Sequence, residues 1–235
     1  MAHEMERPED PEGLYRACGE DIVAARPTLT GDVFSGVELI DTDGATQQKT
    51  VMILDHPCSL RTDGVNLLPR LTVAEVRHRQ PGKWEGCYNR FFLPAPFPEA
   101  EGPKQPSAAF FDACYHVSPE QLDAGTRVAC LSDFGLNLLL QRRVHHFSRV
   151  VVPTFEFQNA NGAVYDEADL VEEWCIDRED DGLKPLEAAA ECVSWLREEE
   201  DGVRRQTLLR DVQRRSTLRR QMRAHLRELR RSGSR

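Results

Sequence analysis

The chain has 235 residues, 40% of them apolar and 29% charged, enough for one sizeable core or two small ones without disulfide or metal staples. It has no run of 18 uncharged apolar residues, and its opening, MAHEMERPEDPEG, lacks the apolar core of a secretory signal, which argues against a membrane span and export and makes a cytoplasmic address the expectation. The net charge of -9 conceals an asymmetry: residues 201–235 carry 12 Arg against Asp201, Asp211 and Glu228, so a basic tail follows an acidic body.

In chain order, residues 1–13 read as a mobile leader, rich in Pro and Glu with little to bury. A short helix is predicted over 14–25. Strands follow at GDVFSGVELI and KTVMILD, separated by the polar turn DTDGATQQ, with a third strand over 67–76. Residues 79–105, dense in Pro, Gly and aromatics, read as a long irregular excursion. AAFFDACYHV and RVACLS read as two more strands. Ser132 or Asp133 then caps a helix to about Arg149, with Leu136, Leu140, Val144 and Phe147 facing the core and Gln141, His145, Arg149, Arg142 and His146 on a polar face. FEFQ and AVY flank Asn159-Ala160-Asn161-Gly162, which predicts a hairpin turn. Pro185 starts a helix through Glu200, and Asp201-Gly202 stops or kinks it before a final Arg-rich helix. The pattern is α+β.

The opening of the first strand at Gly31-Asp32, the strand Lys49-Thr50-Val51-Met52-Ile53-Leu54 and the run Pro69-Arg70-Leu71-Thr72 resemble the PemK/MazF-like family. The resemblance covers 31–76 well and continues loosely to about residue 149. It implies a small SH3-like β-barrel, here with appended helices, and an activity like that of the family's toxin endoribonucleases. The family's catalytic Thr falls on Thr72, and Lys49 stands where toxin members carry the Arg of an Arg-Pro pair. Lysine keeps the charge but not the forked geometry that suits a phosphate. On this reading 14–165 is the barrel domain with insertions, 166–202 an acidic helical segment and 203–235 a basic amphipathic helix.

Two further clusters carry chemistry. In Asp55-His56-Pro57-Cys58, His56 lies two residues from a thiol that it could activate, with Arg61 near an anion, which makes a cysteine-dependent enzyme an alternative. The competing account is a packed turn held by Pro57 and by Asp55 accepting backbone N–H groups, with a buried Cys58. The seven cysteines form no CxxC pair and are odd in number, His145 and His146 lie 100° apart on a helix, and the acidic run 172–181 lacks a calcium-loop pattern, so no metal and no cofactor is expected. In the tail, Arg204, Arg205, Arg214, Arg215, Arg219, Arg220, Arg223, Arg230 and Arg231 surround an apolar stripe of Leu218, Met222, Leu226 and Leu229. That helix fits RNA or DNA, a protein partner or second copy, or the acidic body itself. The sequence therefore favours a barrel repurposed for binding nucleic acid or a protein through this helix, with the endoribonuclease as the alternative.

Overall fold

In the computed structural model the described residues are 5–41, 43–61, 63–80, 84, 87–94, 105–149 and 151–233. The chain divides into two compact units, one of residues 1–23, 28–62 and 67–160, the other of residues 24–27, 63–66 and 161–235. Among the described residues no helix is long and apolar enough to cross a membrane.

The first unit is built on seven strands, β1 (Tyr15–Cys18), β2 (Val33–Ile40), β3 (Thr46–Ile53), β4 (Leu71–His78), β5 (Arg90–Leu93), β6 (Ser107–Val117) and β7 (Thr126–Leu131). They form one antiparallel sheet in the order β1-β7-β2-β3-β4-β6-β5. Its end strands β1 and β5 do not pair with each other, so the sheet is open where a closed barrel was expected. Side chains alternate across it: Val51 and Ile53 of β3 pack with Leu71 and Val73 of β4 in one cluster, whereas Met52 and Ala74, equally buried, face the other way.

Two expectations fail in this unit for a common reason. The helix expected over 14–25 is instead β1 between two short 3-10 turns, because Ala17 and Cys18 pair with Cys130 and Ala129 at the edge of β7. The excursion at 79–105 likewise contains β5, an edge strand on β6 that buries Phe91, Phe92 and Leu93. Residues 81–83, 85–86 and 95–104 of that excursion lie outside the described residues, as do residues 1–4 of the leader. Distant partners decide such short segments, and no local pattern shows them.

A capping box between Ser118 and Gln121 starts α1 (Pro119–Asp123), and Ser132 caps α2 (Asp133–Ser148) by accepting the Gly135 N–H at 3.0 Å. The expected faces of α2 are only half right. Every residue from Gly135 to Arg142 is buried, Gln141 and Arg142 included, while Phe147, assigned to the core, is 69% exposed. A helix enclosed on all sides keeps no polar face, and only its last turn emerges. Gln141 also ties down the leader, since its Oε1 accepts the Glu6 N–H at 2.9 Å and its Nε2 donates to the Val152 carbonyl at 2.8 Å.

The hairpin expected at Asn159–Gly162 is absent, and α3 (Thr154–Glu179) runs straight through it. Buried Asn161, Tyr165, Ala168, Glu172 and Cys175 recur at four, three, four and three residues, a helical period that outweighs the turn-forming letters. From Asn161 onward α3 belongs to the second unit with α4 (Pro185–Arg197), α5 (Arg205–Leu208) and α6 (Val212–Gly233). Leu170, Val171, Trp174 and Cys175 of α3, Cys192, Trp195 and Leu196 of α4, and Leu218, Met222 and Leu226 of α6 make one core. Asp201 and Gly202, with φ of 53° and 76°, form the two-residue turn of a minimal hairpin between β8 (Glu199–Glu200) and β9 (Val203–Arg204). Two successive positive φ values are what such a turn demands of Asp-Gly.

Candidate functional site

Of the residues singled out in the sequence, Lys49 and Thr72 lie on opposite faces of the sheet. Lys49 lies on the face of Val51 and Ile53, inside a charged network. Its Nζ donates to Asp41 Oδ2 at 2.9 Å, to the Tyr115 hydroxyl at 3.1 Å and to Glu75 Oε2 at 3.3 Å. Tyr115 donates in turn to Asp41 Oδ1 at 2.9 Å, and Arg77 grips both oxygens of Glu75 at 2.8 Å. The Asp41 and Tyr115 bonds raise the Lys49 pKa above its ordinary value, and the bond from Lys49 holds Asp41 below the usual carboxylate range. Two carboxylates thus already balance this ammonium group.

Thr72 points to the opposite face. In the β4–β6 ladder Thr72 stands across from His116 and Ala74 across from Cys114, so Thr72, Cys114 and His116 share the face of Met52. Met52 and Ala74 are fully buried, Thr72 is half-buried, and Cys114 and His116 are exposed, so this face reaches solvent at the Thr72 end of β4. Lys49 and Thr72 cannot act together on one phosphate from opposite sides of a sheet.

The turn after β3 meets this rim. Asp55 Oδ2 accepts the Thr72 N–H at 2.6 Å, and Pro57 is buried, as the packed-turn account requires. Cys58, expected to be buried, is exposed, and its backbone N–H donates to His56 Nδ1 at 3.3 Å. The imidazole nitrogen nearest Cys58 is therefore engaged by the peptide and not by the thiol. Arg61 donates to the Thr28 carbonyl at 2.8 Å. The group that the sequence did not single out is Arg143 of α2, which donates to the Leu54 carbonyl and influences both His56 and Cys114. Burial, assisted by this guanidinium, lowers the His56 pKa, which leaves the ring neutral at pH 7. Burial raises the Cys114 thiol pKa, with Arg143 opposing, so Cys114 is no ready nucleophile. The rim offers a neutral imidazole, a second imidazole, a hydroxyl and a cation.

Arg142, one residue earlier, is fully buried and acts on structure. Its guanidinium donates to the carbonyls of Arg90 at 3.0 Å, Trp84 at 2.8 Å and Cys87 at 2.8 Å and lies 5.0 Å from the Trp84 ring centre. Burial pulls its pKa down to about 10, and it remains charged at neutral pH.

In the second unit, the arginines of α6 fall into two sets. Arg215 pairs with Asp166 at 2.8 Å, Arg219 with Glu173 at 3.4 Å, Arg223 also with Glu173, and Arg230 with Asp177 at 3.1 Å and Asp180 at 3.4 Å. Upstream, Arg205 pairs with Glu198 at 2.6 Å, Arg214 lies 3.6 Å from Asp211, and Arg204 is exposed in β9. Arg220, Arg227 and Arg231 are exposed on the outer side of α6, where Arg220 reaches Thr217 and Arg227 the Arg223 carbonyl. Among the described residues, no group of three or more His, Cys, Asp or Glu is placed to hold a metal ion. No protein-family model and no curated protein matches the chain.

Proposed function

We propose that the chain is a cytoplasmic protein that binds single-stranded RNA through the outer face of α6, with the β2–β3–β4 meander as its PemK/MazF-like part. The observation that carries this reading is the exposed stripe Arg220, Arg227 and Arg231. Spaced seven and four residues apart, they lie within about 40° of one another and extend along about 16 Å of helix, with Ala224 between the first two. Seven cysteines standing as free thiols suit a reducing compartment. Replacing all three arginines by Gln is expected to weaken binding of a labelled 20-nucleotide RNA at least about tenfold. It should also make the log–log salt slope shallower by about 2, at roughly 0.7 per lost phosphate contact. Fluorescence anisotropy from 50 to 200 mM salt reads both quantities, and an unchanged slope and affinity would sink the assignment.

The rim of the first unit favours a second reading, an endoribonuclease. Neutral His56 would take the 2′-hydroxyl proton as that oxygen attacks the adjacent phosphorus. His116 would protonate the departing 5′-oxygen, and Arg143 would offset the charge on the phosphorane, leaving a 2′,3′-cyclic phosphate and a 5′-hydroxyl. His116→Ala should then slow cleavage of a fluorogenic RNA about 10²–10⁴-fold. A wild-type protein that leaves the RNA intact removes this reading and leaves the first.

A further inference from the structure

The acidic partners of the α6 arginines form a row. Asp166, Glu173 and Asp177 lie on α3, and Asp180 follows its last turn. Successive members are separated by about 10, 6 and 5 Å of helical rise. Both helices run the same way along this row, since the pairs Arg215–Asp166, Arg219–Glu173 and Arg230–Asp177 advance together in both numberings. The arginines thus lie along a line of single negative charges, an arrangement chemically close to a phosphodiester strand.

We propose that the carboxylate row of α3 is an internal competitor for the polyanion, and that binding proceeds as Arg219, Arg223 and Arg230 exchange carboxylates for phosphates. This rests on the RNA-binding reading and adds its regulation. The side chains of these three arginines are 40–59% exposed, so their outer N–H groups reach a ligand lying along the Arg220, Arg227 and Arg231 stripe. The exchange leaves the helix in place, because Leu218, Met222 and Leu226 are at most 2% exposed in the core beneath. Glu173 is the sensitive member, since it holds both Arg219 and Arg223 of α6.

The test uses the full chain, the same labelled 20-nucleotide RNA and salt from 50 to 200 mM. Glu173→Gln keeps the shape of the side chain and removes its charge. It is expected to bind at least about fivefold tighter than wild type at 50 mM salt, because Arg219 and Arg223 then meet phosphate without giving up a carboxylate. If its thermal melt shows an unfolded second unit, the Asp177→Asn, Asp180→Asn, Asp181→Asn triple variant decides, with tighter binding than wild type expected at 50 mM salt because Arg230 reaches all three carboxylates. A wild type that binds and variants that bind no tighter overturn the competition alone. Failure of wild type and variants to bind at any salt overturns the binding reading and the competition with it.

Discussion

Replacing Arg142 by alanine is expected to destabilise the first unit by about 4 kcal/mol or more, measured by urea unfolding of the full chain. Three hydrogen bonds from a buried charged donor are lost, each worth about 1.5–3 kcal/mol, and the carbonyls of Trp84, Cys87 and Arg90 lose their donor. Arg142→Lys keeps the charge but not the fork that reaches three acceptors, so it should fall between wild type and alanine. The alanine variant should expose the residues just before β5 to protease first. A loss below about 1 kcal/mol would mean that water replaces the guanidinium.

Trp174→Ala is expected to remove about 3–5 kcal/mol from the second unit, the usual cost of deleting a buried tryptophan. Trp174 is fully buried, donates its indole N–H to Glu191 at 2.9 Å and packs 5.7 Å from both Trp195 and His225 by ring centres. With that seat gone, α6 should come loose, and trypsin should cut at its arginines. Raising salt to 1 M in the wild type should have little such effect, because half-exposed ion pairs contribute about 0–1 kcal/mol each. Salt-induced cleavage equal to that of the variant would show that the charges, and not the apolar seam, hold the helix.

Legibility in the sequence followed the range of the interactions. The amphipathic stripe of α6, the Ser132 cap and the Pro185 start rest on neighbours within one or two turns, and all three are found where expected. The Asn-Ala-Asn-Gly letters favour a turn locally, but the helical period of Asn161, Tyr165 and Ala168 overrides them once those side chains are buried. Asp201-Gly202, expected to stop or kink a helix through Glu200, instead forms a tight hairpin turn, and α4 ends earlier, at Arg197. At the candidate site, Thr72 and the Asp55 turn were visible as a motif. His116 and Arg143 were not, since β6 and α2 bring them there from far along the chain. A two-residue strand alternation would have separated Lys49 from Thr72 once the β3–β4 register was known, and that register is not written locally.

The pairing of β1 with β7 sets a clock on the birth of this protein. Tyr15 meets Leu131, more than a hundred positions downstream. At a synthesis rate of about 5–20 residues per second, β1 waits on the order of ten seconds for β7, its partner in the sheet. Throughout that interval the segment around Tyr15–Cys18 is available to chaperones, to modifying enzymes and to wrong strands, so β1 joins the sheet late although it is made long before β7.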